Sequence, residues 1–342
     1  MAAKVIDFYL PDKLNASLPP EKRGIRRDHV RMMVLDRNSG NIEHDCFFHL
    51  PQYLQAGDLV ILNNSRTIPA VLHAGWLRNK IQIAAKTEIR LARRRGEDLW
   101  EVLFVEKNVK VGDQFIFSPE LSATVIGEKK NSPLKMLKFT KMGSDLLNII
   151  YALGEPVRYE YIDQPWELDY YQTVFASHPG SVEMPSAGRA FSWELLFTLM
   201  RKGIQVDFLQ LHTGLSYLLD DSWQQTPEEN EEEYHISETT MQRILETKAA
   251  GKRVIAVGTT VVRALESAVK FGNLSGVTNL YINDQFPLKI ADGIITGLHE
   301  PKASHLDMLS AFIPEGHLLQ AYDQAIVANY LWHEFGDMNL II

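Results

Sequence analysis

The sequence predicts an α/β protein: a barrel-like α/β main domain into which a small antiparallel β-barrel is inserted. Two changes of rhythm along the chain, and the residues that close its later strands, give this reading. Residues 69–150 alternate apolar and polar side chains over short runs: KIQIAAKTEIRLA (80–92), LWEVLFV (99–105), QFIF (114–117), LSATVIG (121–127) and LKMLKFT (134–140), broken by turns such as Gly112–Asp113. Period-two runs between frequent turns fit an antiparallel sheet that closes into a small barrel. From about residue 151, helical stretches (192–202, 238–250) alternate with the short apolar strands VDFLQL (206–211), RVIAVG (253–258), NLYI (279–282) and GIIT (293–296). That is the pattern of parallel strands in an α/β layer or barrel. The earlier strands MMVLDR (32–37) and VILN (60–63) belong to the same body. Residues 1–68 and 151–342 are therefore expected to form one domain around an insertion at 69–150.

The composition agrees with two domains, since 342 residues exceed the roughly 150 of a typical one. Hydrophobic residues are 45% and charged residues 23%, which excludes a disordered or collagen-like chain. With 35 Lys and Arg against 43 Asp and Glu the net charge is −8. This excludes a globally basic nucleic-acid coat but not a local basic patch. The single cysteine, Cys46, excludes an internal disulfide and a thiolate zinc cluster. MAAKVIDFYLPDKLNAS (1–17) meets Asp7 and Pro11 early and does not read as a signal peptide. No stretch reaches the roughly 18 apolar residues of a membrane span. A soluble, cytoplasmic monomer that contacts no membrane is expected.

The strand exits are the most informative feature. VDFLQL runs into His212–Thr213–Gly214, RVIAV into Gly258–Thr259–Thr260, GIIT into Gly297–Leu298–His299, and NLYI into Asn283–Asp284. In parallel α/β folds the carboxyl ends of strands share one edge, where ligands bind. Turn chemistry alone accounts for glycine and asparagine there but not for two histidines. VGTTVVRALES (257–267) reads as strand, tight turn, helix. Thr259 or Thr260 can cap that helix, and its free N–H groups suit a phosphate, carboxylate or ribose hydroxyl. Arg263 and Glu266 fall three apart on one helix face, which taken alone is a surface ion pair.

LNNSRTIPA (62–70) bunches Asn63, Asn64 and Arg66. The amides can read a base edge or simply form an Asx turn. Arg23, Arg26, Arg27 and Arg31, with a second cluster at Arg93–Arg94–Arg95, offer a phosphate-binding face or salt-bridge partners for the acidic excess. The run PEENEEEY (227–234) reads by default as a solvated segment. GxGxxG, P-loop, GxSxG and HExxH signatures do not occur, which argues against the common dinucleotide, NTPase, serine-hydrolase and zincin classes.

Several longer segments carry a family resemblance: MVLDRNSGNIEHDCFFHLPQYLQAGDLVILNNSRTIPA (33–70), YQTVFASHPGSVEMPSAGRAF (171–191), LQLHTG (209–214), VIAVGTTVVRALES (254–267), TGLHEPKAS (296–304) and LSAFIPEGHLLQAYDQAI (309–326). In that order they resemble the S-adenosylmethionine:tRNA ribosyltransferase-isomerases of queuosine biosynthesis, from DFYLP (7–11) to GDMNLII (336–342). The resemblance implies an α/β barrel-like domain with an inserted β-barrel. It implies two partners, S-adenosylmethionine as substrate and a tRNA bearing 7-aminomethyl-7-deazaguanine at the wobble position, and no metal. The ribosyl part of S-adenosylmethionine would be transferred and isomerised to epoxyqueuosine, with adenine and methionine released. Such a reaction needs a base for a ribose proton next to the sulfonium, a pocket that excludes water, and phosphate contacts.

By this resemblance His212, His299, Glu232 and Glu233 are the candidate catalytic groups. Asn63, Asn64, Arg66, Pro185, Ala187, Gly188, Gly214, Gly258, Thr259, Thr260, Arg263, Glu266 and Lys302 are candidate substrate contacts. Arg23, Arg26, Arg27 and Arg31 are candidate RNA contacts. The chain departs from the family pattern in places. MPSAGRAF (184–191) stands where APTAGLHF is usual, with Arg189 and Ala190 in place of leucine and histidine. LHTGLSYLL (211–219) lacks a second glycine, and TGLHEPKAS has Gly297 and Glu300. PVRYEYI (156–162) replaces PLPPYI. PEENEEEY lacks two histidines, for which Glu231, Glu232 or Glu233 are the substitutes at hand. Two other readings stay open from sequence: a paralogue that binds tRNA or a nucleoside without transfer, and an enzyme acting on a small nucleoside at the same strand edge.

Overall fold

The computed structural model describes residues 6–129, 132–159, 161–162, 164–216 and 229–342. In chain order the elements are β1 (Arg31–Leu35), β2 (Ile42–Cys46), β3 (Leu59–Asn63), β4 (Ser65–Thr67), β5 (Val71–Arg78), β6 (Ile81–Arg94), β7 (Leu99–Phe104), β8 (Gln114–Ser118), β9 (Leu121–Glu128), β10 (Lys135–Phe139) and α1 (Gly143–Leu153). There follow β11 (His178–Ser181), α2 (Trp193–Arg201), β12 (Gln205–His212), β13 (Glu232–His235), α3 (Glu238–Ala249), β14 (Val254–Val257), α4 (Thr259–Phe271), β15 (Ser275–Thr278), β16 (Gly293–Gly297), α5 (Ser304–Ser310), α6 (Glu315–Val327) and β17 (Met338–Ile341).

Nine strands form one mixed sheet in the order β15-β13-β12-β3-β14-β16-β17-β1-β2. Its interior strand β3, LVILN, is buried throughout, as a strand covered on both faces must be. Alternation sorts the side chains between two cores. Leu59, Ile61, Val254, Ala256 and Ile294 pack with Ile244 of α3, Val261 and Leu265 of α4, Leu306 of α5 and Leu318 of α6. Val60, Leu62, Ile255, Val257 and Ile295 pack on the other side with Leu195, Leu196 and Leu199 of α2. Helices thus cover both faces, which leaves the strand ends as the exposed line of the body.

Strands β5 to β10 close into the expected antiparallel barrel, in the order β10-β7-β6-β5-β8-β9. Its interior is filled by Trp100, Phe115, Leu91, Val102, Leu137 and their neighbours. The β5–β6 hairpin turns at Asn79 and Lys80, with φ of 49° and 66°, the two-residue turn that matches strand twist. The chain enters the barrel at Val71 and leaves it at Glu155. These two residues exchange both backbone hydrogen bonds, at 2.9 Å each.

One strand lies elsewhere than the sequence predicts. NLYI (279–282) is not a strand; β15 ends at Thr278, and Asn283 accepts the Gln285 N–H at 3.1 Å. Asn283–Asp284 is therefore an Asx turn and closes no strand. Residues 217–219, 227–228 and 160, within three of the motifs above, and residues 1–5 lie outside the described residues.

Candidate active site

Strands β12, β3, β14 and β16 are mutually parallel, so His212, Asn63, Gly258 and Gly297–His299 come to one edge of the sheet. Strands β13 and β17 run the opposite way and start there, which adds Glu232 and Glu233 from β13 and the segment before Met338.

At the β12 end, His212 Nδ1 is 2.7 Å from Ser65 Oγ, which in turn is 2.6 Å from Ser181 Oγ. This chain fixes the ring and leaves Nε2 as the outward nitrogen. The ring fits only because residue 180 is glycine: a Cβ there would lie 2.6 Å from His212 Nδ1. Burial lowers the His212 pKa, with Arg94 and His178 acting the same way and Glu233 opposing them. His212 pairs in register with Glu233, so the imidazole and the carboxylate project from the same face. Glu233 is exposed while Glu232 is buried. The arrangement is a neutral imidazole beside a carboxylate, suited to proton transfer.

Asn63, read from sequence as a base reader, spends its amide on the protein. Its Nδ2 donates to Leu211 O at 2.9 Å, and its Oδ1 accepts from Leu211 N at 3.1 Å and Ser65 N at 3.0 Å. It clamps β3 to β12 and sets the height of the following His212. Asn63→Ala orphans these buried backbone groups and should cost about 1–3 kcal/mol of stability, read from the urea midpoint at unchanged m-value. Asn64 forms the backbone junction instead, with its N–H on Leu209 O at 2.9 Å and its carbonyl receiving Ser177 N at 2.9 Å. Arg66 lies over the Tyr151 ring, 5.2 Å from its centroid.

Gly258, with φ of 91°, caps α4 and has no side chain to accept its first N–H groups. The threonines expected to cap this helix lie inside it. Thr260 Oγ1 is 3.4 Å from Asn63 Nδ2. A Cβ on Gly258 would press on Ala187 Cβ at 3.3 Å. The segment holding the buried residues Pro185, Ala187 and Gly188 therefore lies against the α4 start. Gly214 serves another purpose: a Cβ there would meet Ala92 O at 3.0 Å, and Leu215 N bonds that same carbonyl at 3.0 Å. This glycine lets the body approach the barrel.

Arg263 and Glu266 do not form the surface pair that their spacing suggests. Arg263 forms a buried ion pair with Glu232 and donates to Asn230 O at 2.9 Å. Glu266 is buried and receives the N–H groups of Lys289, Ile290 and Ala291 at 2.9–3.2 Å. Both residues hold loops in place. Lys302 is an exposed cation 3.3 Å from Asp7. Glu231 pairs with Arg95 at 2.8 Å, which joins the acidic run to the barrel.

At the β16 end, His299 Nε2 is 2.8 Å from Thr296 Oγ1, and its ring stacks on His305 with centroids 4.7 Å apart. Burial drives His299 well below its ordinary pKa, so it too is neutral. His305 is pushed down to about 4 by its dense surroundings and by Arg263. Strands β12 and β16 are three places apart, or about 14 Å at ~4.8 Å per strand. His212 and His299 therefore share an edge but cannot share a proton.

Beyond His299 a cleft is lined by Arg27, Ser186, Arg189, His333 and Glu334, and a second by Tyr159, Tyr171, Glu183 and Met184. Neither is lined by His212, Thr259 or His299. In the first, burial pushes the Glu334 carboxyl up to about 7 from 4.5. The fold holds this proton more tightly than the unfolded chain does, so the stability it adds is full below pH 4.5 and is lost as pH rises through 7. Glu334→Gln should gain up to about 3 kcal/mol over the parent across that window, measured by denaturation at pH 4 and pH 8. In the second cleft Glu183 accepts from Ser216 N at 2.7 Å and Ser216 Oγ at 2.9 Å, and burial raises its pKa. Ser65, Gly180 and Glu183 fall within the family-like segments 33–70 and 171–191 but no local spacing singles them out, and His305 and Glu334 lie outside those segments.

The four arginines expected at RNA are engaged by the protein. Arg23 donates to Phe335 O at 2.7 Å. Arg26 binds Asp28 and Glu194. Arg27 pairs with Glu21 at 3.1 Å. Arg31 donates to Ala328 O and lies 3.9 Å over Tyr330. Arg189 is buried and pairs with Glu21 at 2.8 Å.

A family model described as "Queuosine biosynthesis protein" matches residues 3–341. The chain is 36% identical to the S-adenosylmethionine:tRNA ribosyltransferase-isomerase of Carboxydothermus hydrogenoformans, with 100% of each chain covered. It is 33% identical to the protein of that name from Thermotoga maritima, again with 100% of each covered. It also resembles the crystal structure of S-adenosylmethionine tRNA ribosyltransferase from Thermotoga maritima, with a TM-score of 0.56, 30% identity, and 98% of this chain and 99% of that one covered.

Proposed function

The chain belongs to the queuosine biosynthesis protein family, and from that premise we propose that it is an S-adenosylmethionine:tRNA ribosyltransferase-isomerase. It transfers and isomerises the ribosyl moiety of S-adenosylmethionine onto 7-aminomethyl-7-deazaguanine at the tRNA wobble position, giving epoxyqueuosine-tRNA, adenine and methionine. The observation that carries this reading is kinship over the whole length, at 36% identity with complete coverage. The catalytic body is 1–68 with 151–342, and 69–150 is the inserted domain. No helix among the described residues is long and apolar enough to cross a membrane. The enzyme works as a cytoplasmic monomer.

The sheet edge supports a division of labour. His212, neutral and held through Ser65, takes the ribose proton acidified by the neighbouring sulfonium, and Glu233 stabilises the imidazolium that forms. The N–H groups at the start of α4, roofed by Pro185–Gly188, bind a ribose hydroxyl or carboxylate of the substrate. His299, about 14 Å along the edge, serves a different part of the bound pair of substrates. Glu232 and Glu266 position Arg263 and the 289–291 loop rather than react.

The test mixes purified protein with S-adenosylmethionine and tRNA carrying the modified base and measures adenine release. Release that requires both substrates is expected. None from folded protein, while a control enzyme turns over, overturns the reading.

A further inference from the structure

The inserted segment has the opposite charge to the rest of the molecule. Residues 69–150 contain 14 Lys and Arg against nine Asp and Glu, a balance of +5 within a chain of net −8. Barrel topology then sorts these charges along the barrel axis. The β6–β7 and β8–β9 turns lie at the end nearest the body, since β5 starts and β10 ends there. The turn at 79–80, the connection 105–113, the end of β9 and the start of β10 lie at the far end. Near the body Arg93 and Arg95 are engaged with Glu101 at 3.4 and 3.0 Å, and Lys138 with Asp98 at 3.6 Å.

The far rim differs. Lys80, Lys107 and Lys110 are exposed and Lys129 half-exposed, and none has an ion-pair partner among the described residues. Two acids of that rim are otherwise occupied: Asp113 is buried beneath Arg78 at 2.7 Å, and Glu128 pairs with Lys135 at 2.7 Å. Arg78 also donates to Asn108 O at 2.7 Å, which ties the hairpin turn to the loop of Lys107 and Lys110 and makes the rim one surface.

We propose that this lysine-bearing outer rim of the barrel docks the sugar–phosphate backbone of the tRNA substrate, far from the reacting base. The proposal rests on the function given above and adds where the RNA is gripped. Clustered cations on an otherwise acidic body are the footprint of a polyanion. Strand β6 has 14 residues and, at ~3.3 Å each, sets the rim up to about 40 Å from the barrel's body end. A single nucleoside cannot reach across that distance, whereas an RNA with many phosphates can. The arginines at 23–31 are held by internal partners, whereas the rim lysines are not.

The experiment uses the full chain with Lys80, Lys107 and Lys110 changed together to Glu, and separately to Arg. Affinity for tRNA is measured against salt, and KM and kcat by adenine release. The Glu variant should raise the tRNA KM at least tenfold and flatten the slope of log affinity against log salt by about two to three, at 0.7–0.9 per phosphate contact. Its kcat at saturating tRNA and its KM for S-adenosylmethionine should not change, and the Arg variant should behave as the parent. A Glu variant with parental affinity and slope overturns the proposal, as does a parent that binds no tRNA. A parent that binds tRNA with a steep salt slope, which the Glu variant loses, but releases no adenine keeps the rim and sinks the proposed reaction instead.

Discussion

Replacing His212 by Ala should lower kcat for adenine release by about 10²–10⁴-fold, the range for removing a general base, with little loss of stability. The contact it gives up is one hydrogen bond to Ser65, and its ring packs closely over Gly180. Two companion variants distinguish a proton-transfer role from simple packing. Ser65→Ala frees the ring and should reduce kcat less than loss of the imidazole does. Glu233→Gln removes the charge that opposes the fall in the His212 pKa. The base must be unprotonated to work, so the acid limb of the pH–rate profile should move to lower pH in this variant. An unmoved limb, with kcat intact in His212→Ala, would place the base elsewhere.

The second large effect concerns Arg263. Arg263→Met takes from the buried Glu232 carboxylate the cation it bonds directly, and breaking a buried pair in this way costs about 3–5 kcal/mol. The loss should appear as a lower urea midpoint. Arg263→Met with Glu232→Leu should recover most of it, because two apolar side chains of similar volume need no compensation. His305 gives an independent readout. Arg263 contributes to its low pKa of about 4, so in Arg263→Met the imidazole should titrate at higher pH in an NMR titration.

The periodicities made the architecture legible. Alternation in 80–140 announced the barrel, and apolar strands separated by helices announced the layered body. The gathering of His212, Gly258 and His299 at one edge also followed from strand direction alone. What sequence did not reveal is which polar groups the fold keeps for itself. Asn63, Glu266 and Arg23–Arg31 have the chemistry of ligand contacts, yet backbone carbonyls, N–H groups and carboxylates far away in sequence occupy them. Spacing along a chain shows only local partners: Arg263 stands three residues from Glu266 but pairs with Glu232, 31 residues away. Glu334 and Glu183 were invisible for the same reason, since burial by distant segments sets their character. The NLYI segment misled because its apolar residues, Leu280 and Ile282, enter the core from irregular backbone.

The double hydrogen bond between Val71 and Glu155 has a consequence for the order of folding. The body's sheet needs β3, from before the insertion, to sit between β12 and β14 from after it. Drawing those halves together around more than 80 unstructured residues would carry a loop-closure cost of about 4 kcal/mol on a 3/2 RT ln n scaling. A barrel already formed holds its two ends side by side and removes that entropy loss from the later step. The insertion thereby acts as an internal clasp, and a chain whose barrel core is loosened should refold its catalytic half more slowly even where no catalytic residue has been touched.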